Sequence, residues 1–151
     1  MTAVLQRIYQ ATVYADGVLS GRGGEGLYIL LGVEKGDDAE DAAVLAEKIA
    51  KLRIFEDDNG KMNRSVQDIN GEAMVVSNFT LAADYSHGNR PSYFGAAEPE
   101  TAEALYNTFV KLMSDRVKNV ATGKFGADMR TEMQTSGPVT IVMHSSVFRK
   151  K

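Results

Sequence analysis

The chain has no cysteine and only two histidines among its 151 residues. Without cysteine there is no disulfide, no thiolate nucleophile and no cysteine-based metal site, so the protein does not depend on an oxidising compartment. Long apolar runs are missing as well, and nothing approaches the roughly 20 residues that a spanning helix needs. The opening segment, Met1 to Ile8, lacks the basic start, apolar middle and small-residue cleavage site of an export signal. The expected location is therefore the cytoplasm. Positive charge is also scarce, with a formal net charge of −3. Affinity for long duplexes rests on neutralising phosphates, so a broad basic grip on nucleic acid is excluded, whereas contact with a single RNA end stays open. Arg90, Lys124, Arg130 and the tail Arg149-Lys150-Lys151 gather in the second half, where solvated charge is the ordinary reading.

What is present is the balance of a globular protein, 44% hydrophobic and 25% charged residues, at a length that suits one domain over residues 1–151. Val4 to Tyr9 and Ala11 to Ala15 are rich in β-branched and aromatic residues, and Asp16-Gly17 is a hairpin turn signal. Gly21 to Gly26 reads as a flexible connector, followed by the apolar run Leu27 to Val33, a buried strand. From Asp37 to Arg53, Ala39, Ala42, Ala46, Ile49 and Ala50 recur at helical spacing behind an acidic start, which predicts an amphipathic helix with a small-residue face. Asp57 to Gly60 is a turn and Met74 to Thr80 a strand. Ser86 to Pro99, punctuated by Gly88, Pro91, Gly95 and Pro99, is a long irregular loop of the kind that often carries function. A second helix is expected from about Glu100 to Asp115. Ala127 to Gln134 and Val139 to Met143 read as two strands interrupted by Ser136-Gly137-Pro138. Several strands with two helices and no regular βαβ alternation give an α+β domain, its helices on one side of a largely antiparallel or mixed sheet.

Most chemistry finds no support in this order of residues. His87 and His144 suit proton transfer near neutrality, but neither stands in a motif that would assemble a Ser-His-Asp arrangement. The carboxylates lack the alternate spacing of a calcium loop, and no His pair is placed to ligate zinc. Neither metal nor cofactor is expected. Gly21 to Gly26 and Gly123 to Gly126 each lack the framework of a phosphate loop, and the second reads as a link between helix and strand. What remains is backbone chemistry. Ser77-Asn78-Phe79-Thr80-Leu81 ends a predicted strand, where free N–H groups can face a substrate oxygen. Gly137-Pro138 is either a plain turn or a cis peptide, since cis bonds are nearly confined to X-Pro.

Taken in order, Leu5-Gln6-Arg7, Leu30-Leu31-Gly32-Val33, Leu52 to Asp57, Gly60 to Asn63, Ser65 to Asp68, Gly88 to Pro91, Gly95 to Ala97, Phe125 to Met129 and Gly137 to Thr140 resemble the D-aminoacyl-tRNA deacylase family over nearly the whole chain. The resemblance implies a homodimer whose sheets face one another, acting on the aminoacyl-tRNA 3′ end. It removes D-amino acids, and also glycine, by hydrolysing the ester to the terminal adenosine. It implies a pocket floor from Ser77, Asn78, Phe79 and Thr80. It further implies that a Gly-cis-Pro unit, Gly137-Pro138, enters from the partner subunit and turns away L-side chains by overlap. Main-chain N–H groups of Phe79 and Thr80 are the expected oxyanion donors, each supplying roughly 3 to 4 kcal/mol. Arg7 is expected to hold the Gly-Pro carbonyls, and Met129 to lie near the pocket.

Two residues depart from the family pattern inside its motifs. Asn78 stands where the family has Gln, one methylene shorter, so a contact made by the longer amide would fall short by about 1.5 Å. Thr135 stands where the family has Asn and offers a hydroxyl in place of an amide. A Thr-x-Gly-Pro pattern also resembles a sister branch with relaxed chiral selectivity. A noncatalytic dimer that holds RNA ends or nucleotides is the alternative of a different class.

Overall fold

The computed structural model describes residues 1–149; Lys150 and Lys151, the end of the expected tail and of the expected domain, lie outside the described residues. The first strand, β1 (Thr2–Ala15), runs through the expected break at Gln10 and turns at Asp16-Gly17 into β2 (Val18–Gly23). Both turn residues have positive φ, 49° and 79°, as a tight two-residue hairpin requires. The glycine cluster is therefore not a connector throughout, because pairing with β1 holds Gly21 and Gly23 in β2. The chain continues through β3 (Gly26–Gly32), α1 (Ala39–Lys51), the small hairpin β4 (Phe55–Glu56) and β5 (Met62–Arg64), β6 (Glu72–Ser77), α2 (Pro99–Ser114), β7 (Val120–Thr122) and β8 (Met129–His144). The expected α+β class holds, as one domain with a mixed sheet and two main helices.

The helices start where their first residues permit. Asp38 caps α1 by accepting from the N–H groups of Glu40 and Asp41 while Asp41 bonds back to the cap, a reciprocal capping box. Pro99 opens α2 in the first turn, where its missing N–H costs nothing. Arg149, expected to be solvated, instead lies on the start of α1, with Nη1 2.6 Å from Asp38 Oδ1 and Nη2 2.9 Å from Glu40 Oε2. That hydrogen bond holds the Asp38 carboxyl below the ordinary carboxylate range.

The sheet is organised around β1. One edge pairs with β3 from Thr2 to Ile8 and with β2 from Ala11 to Ala15, and the other pairs along its length with β8. Beyond β3 come β6 and β7, both added in parallel. Alternation splits the core between two faces. Leu27, Ile29, Leu31, Ala73 and Val75 pack under α1 and α2 with Leu45, Ile49, Phe109 and Met113. Tyr28, Met74 and Val76 face the other way, with Ile8, Ala11 and Val13. Ile8 and Ala11 share a face despite odd spacing because two residues of β1, over Ile8 to Gln10, oppose one step of β8. Such a bulge increases twist, and the coiled sheet nearly closes, Ser20 Oγ reaching Thr122 O at 3.0 Å.

Three further expectations are corrected. The strand read as Met74 to Thr80 stops at Ser77, and Phe79–Ala82 is a single 3-10 turn, because the Asn78 side chain caps a turn there. The two strands after Ala127 are one strand, β8, which carries Ser136-Gly137-Pro138 inside it. The short strand β7 was not expected, so Gly123 to Gly126 joins two strands.

Candidate active site

Ser77 closes the parallel ladder opposite Leu31, and the Asn78 N–H still donates to Leu31 O at 2.8 Å. The chain then turns. Asn78 Oδ1 accepts the Thr80 N–H at 3.2 Å and also the Thr80 hydroxyl proton, and the Leu81 N–H returns to Asn78 O at 3.3 Å. Asn78 thus caps the turn, as Asn does where a helical turn begins. Gly32 lets this turn sit close, for a Cβ there would lie 2.9 Å from Leu81 Cβ and 3.1 Å from Asn78 O.

Of the two expected oxyanion donors, one is corrected. The Thr80 N–H is committed to Asn78, whereas among the described residues the Phe79 N–H has no hydrogen-bond acceptor. Phe79 is also 57% exposed, so its N–H stands at an open, locally braced turn. The Thr80 hydroxyl donates to the Asn78 amide oxygen, and among the described residues no basic side chain is hydrogen-bonded to it.

Mid-way along β8 the ladder with β1 skips. Gln6 pairs with Thr140 and Ile8 with Thr135, so two steps of β1 oppose five of β8 and the segment between Thr135 and Thr140 is pushed out. Thr135 itself stays in the ladder, so its hydroxyl replaces the amide at the foot of this protrusion. Gly137-Pro138 is cis, and both residues are exposed. Gly137 has φ +125°, and a Cβ would come within 2.6 Å of Val139 N, so no other residue fits without distortion. Arg7 sits behind the protrusion. It donates from Nε to Ser136 Oγ at 3.2 Å and from Nη1 to Ile54 O at 2.9 Å. It clasps the neighbouring serine, not the Gly-Pro carbonyls as expected. Ser136 and Ile54 are site-building residues that the motifs did not single out, although both lie within or beside matched segments.

The remaining candidates fall elsewhere. Met129 begins β8 opposite Ala15 and packs with the second core and Gly123, eight residues or about 25 Å from Gly137 in the same chain. His144 Nδ1 contacts Thr2 Oγ1 at 2.9 Å and His87 Nδ1 contacts Ser86 Oγ at 2.7 Å; neither approaches the other candidates. Ser77 shares a row with Leu31, Ala3 and Met143, while Gly137 lies beside Arg7. Three strand spacings across and four residues along put the two segments about 20 Å apart within one chain.

A family model described as D-Tyr-tRNA(Tyr) deacylase matches residues 4–144. The chain belongs to the D-Tyr-tRNA(Tyr) deacylase family. It is 51% identical over 145 residues to a D-aminoacyl-tRNA deacylase of Syntrophotalea carbinolica, covering 96% of this chain and 97% of the relative. A D-aminoacyl-tRNA deacylase of Clostridium botulinum is 49% identical with the same coverage. Among solved structures, the c-Myc DNA Unwinding Element Binding Protein superposes with a TM-score of 0.89 at 37% identity, covering 95% of this chain and 98% of its own. The deacylase family thus extends over β1 to β8, both candidate segments included.

Proposed function

We propose that this chain is a D-aminoacyl-tRNA deacylase that hydrolyses the ester between a D-amino acid, or glycine, and the terminal adenosine of tRNA. The proposal takes residues 1–151 as one catalytic domain working in the cytoplasm as a homodimer. The observation that carries it is the open Phe79 N–H on a turn held by Asn78, in a member of this family. A donor fixed before the reaction stabilises a developing oxyanion without reorganising. Phe79 and Thr80 form the catalytic turn, and Ser77 and Asn78 shape its floor.

The separation of about 20 Å between the two segments supports the homodimer, since Gly137 and Pro138 of the partner subunit can reach a turn that those of the same chain cannot. Arg7 braces that unit through Ser136, whereas Met129 serves the second core and has no part in the pocket. Selection is by exclusion: a side chain of L configuration meets the Gly-Pro unit, a D-side chain points elsewhere, and glycine passes because it has none. Attack falls to a water assisted by the adenosine 2′-hydroxyl, because Thr80 has no base to activate it.

Release of D-tyrosine and glycine from their tRNAs, with L-tyrosyl-tRNA left intact, is the expected result of a hydrolysis assay. Release of L-tyrosine at a comparable rate would shift the reading to a deacylase of relaxed selectivity, and no release from any substrate to a noncatalytic RNA-end binder. Thr80→Val should keep turnover within about fivefold, since its hydroxyl contributes a single neutral hydrogen bond. Lost turnover with retained binding of a substrate analogue would refute the water mechanism. Light scattering should give the mass of two chains.

A further inference from the structure

The loop after the catalytic turn, residues 83–98, takes no part in the chemistry above, yet it is firmly built. Asp84 and Ser92 exchange backbone hydrogen bonds of 2.8 Å, the Lys35 N–H donates to Gly95 O at 2.9 Å and the Ala97 N–H to Val33 O at 3.0 Å. On this frame the loop holds its rings in solvent: Tyr85 is 78% exposed, Phe94 80% and Tyr93 39%. The Tyr93 ring meets Phe79 edge to face with centroids 5.1 Å apart, so one ring of the loop packs on the turn itself. Cations accompany it. Lys35 Nζ stands 3.4 Å from the centroid of Phe94, and Arg90 is exposed at the tip between Tyr85 and Phe94.

An ordered loop that leaves large apolar rings uncovered marks a contact surface. Flat rings interleaved with cations suit single-stranded nucleic acid, whose bases stack on aromatic faces irrespective of sequence while the phosphates meet the charges. The chain's net charge of −3 limits such a contact to a few nucleotides, and continuity with Phe79 says which few. Resting on the deacylase reading, we propose that Tyr93, Phe94 and Tyr85, with Lys35 and Arg90, form a stacking track for the unpaired nucleotides that precede the terminal adenosine. The track gives affinity without base identity, so tRNAs charged with different amino acids are held alike.

Tyr85→Ala/Phe94→Ala tests the track, because neither ring touches the catalytic turn. The double variant should raise KM for D-tyrosyl-tRNA about fivefold or more, with kcat unchanged, and leave hydrolysis of D-tyrosyl-adenosine, which has no preceding nucleotides, as it was. It should also weaken binding of a fluorescent single-stranded RNA ending in CCA, read by anisotropy, by a similar factor. Lys35→Gln should lessen the salt dependence of that binding. Equal damage to both ester substrates, unchanged RNA binding, or a changed molecular mass in light scattering would overturn the proposal, the last by making the patch a contact between chains. Should the parent protein hydrolyse neither ester, the deacylase reading falls, while the RNA-binding comparison still decides the track.

Discussion

The two segments of the candidate site are held in opposite ways. The Ser77–Leu81 turn is braced chiefly from within, where Asn78 caps it, with support from Leu31 and Gly32 beneath and from the Tyr93 ring. The Thr135–Thr140 protrusion is shaped from without, by the mismatch of two steps against five in its pairing with β1 and by the Arg7 clasp. A locally capped turn can present a backbone donor with little help from the rest of the fold. A protrusion set by long-range register is a rigid wall only as long as the strands on both sides stay paired. On the proposed roles the donor is local and the wall is global, so damage to the sheet should affect selectivity before it affects chemistry.

The largest effect that would test this contrast is expected from Gly137→Ala. Its Cβ has no room against Val139 and its φ is +125°, so the strain of about 1 to 3 kcal/mol should displace the wall. We expect the preference for D- over L-tyrosyl-tRNA to narrow by up to about a hundredfold, with the circular dichroism spectrum unaltered; a narrowing of less than about tenfold would detach the wall from selection. Arg7→Ala comes next. It removes two charge-assisted hydrogen bonds, at 3.2 and 2.9 Å, and leaves Ile54 O without that donor, a loss of about 2 kcal/mol. The preference for D- over L-tyrosyl-tRNA should narrow about tenfold while kcat on the D-substrate changes less. If kcat drops and the preference holds, the division between donor and wall is wrong.

Asn78→Ala should act the other way. Loss of the cap costs about 1 kcal/mol and should lower kcat about fivefold with chiral preference intact, and Asn78→Ser, which retains a neutral capping oxygen, should recover most of it. The smallest effect at neutral pH concerns the strand that carries the turn. The Tyr106 hydroxyl donates to Val75 O of β6 at 2.7 Å, and burial pushes its pKa up to about 12. The protonated form is the one the fold favours, so this contribution is complete below pH 10, the ordinary tyrosine value, and is lost as pH rises through about 12. Tyr106→Phe should cost about 1 kcal/mol at pH 7 in urea unfolding and flatten the decline in stability above pH 10. An unchanged alkaline limb would place the sensitivity elsewhere.

Much of the fold was legible because its signals are local. The acidic start and helical spacing of α1, the Asp16-Gly17 turn, the apolar run of β3 and the stripe of α2 each state their own conformation within a few residues. The misreadings share a cause. Ser136-Gly137-Pro138 has the composition of a turn, yet β1 pairs on both sides of it and makes one strand; a partner more than a hundred residues away leaves no local trace. Val120–Thr122 is too short to announce itself and is a strand only because β6 lies beside it. In the site, the polar end of β6 was legible, although Phe79 proves to open a 3-10 turn and not to end the strand. Commitment of the Thr80 N–H to Asn78 was not legible, because it depends on how that amide folds back. Ser136 as the partner of Arg7 was equally hidden, being a meeting of β8 with β1.

The central strand β1 also sets the order in which the protein can be made. Thr2 and His144 lie 142 positions apart yet touch across neighbouring strands, and β8 follows every other strand in the chain. As the polypeptide leaves the ribosome, β1 can be joined early by β2 and β3 on one edge, but its other edge waits for β8, a non-local pairing that is slow to form. For that interval a long, half-apolar edge is open to any extended segment it meets. The same late strand carries Gly137 and Pro138. The wall proposed to select substrates therefore forms with the strand that seals this edge, so a nascent chain acquires discrimination only when it ceases to be adhesive.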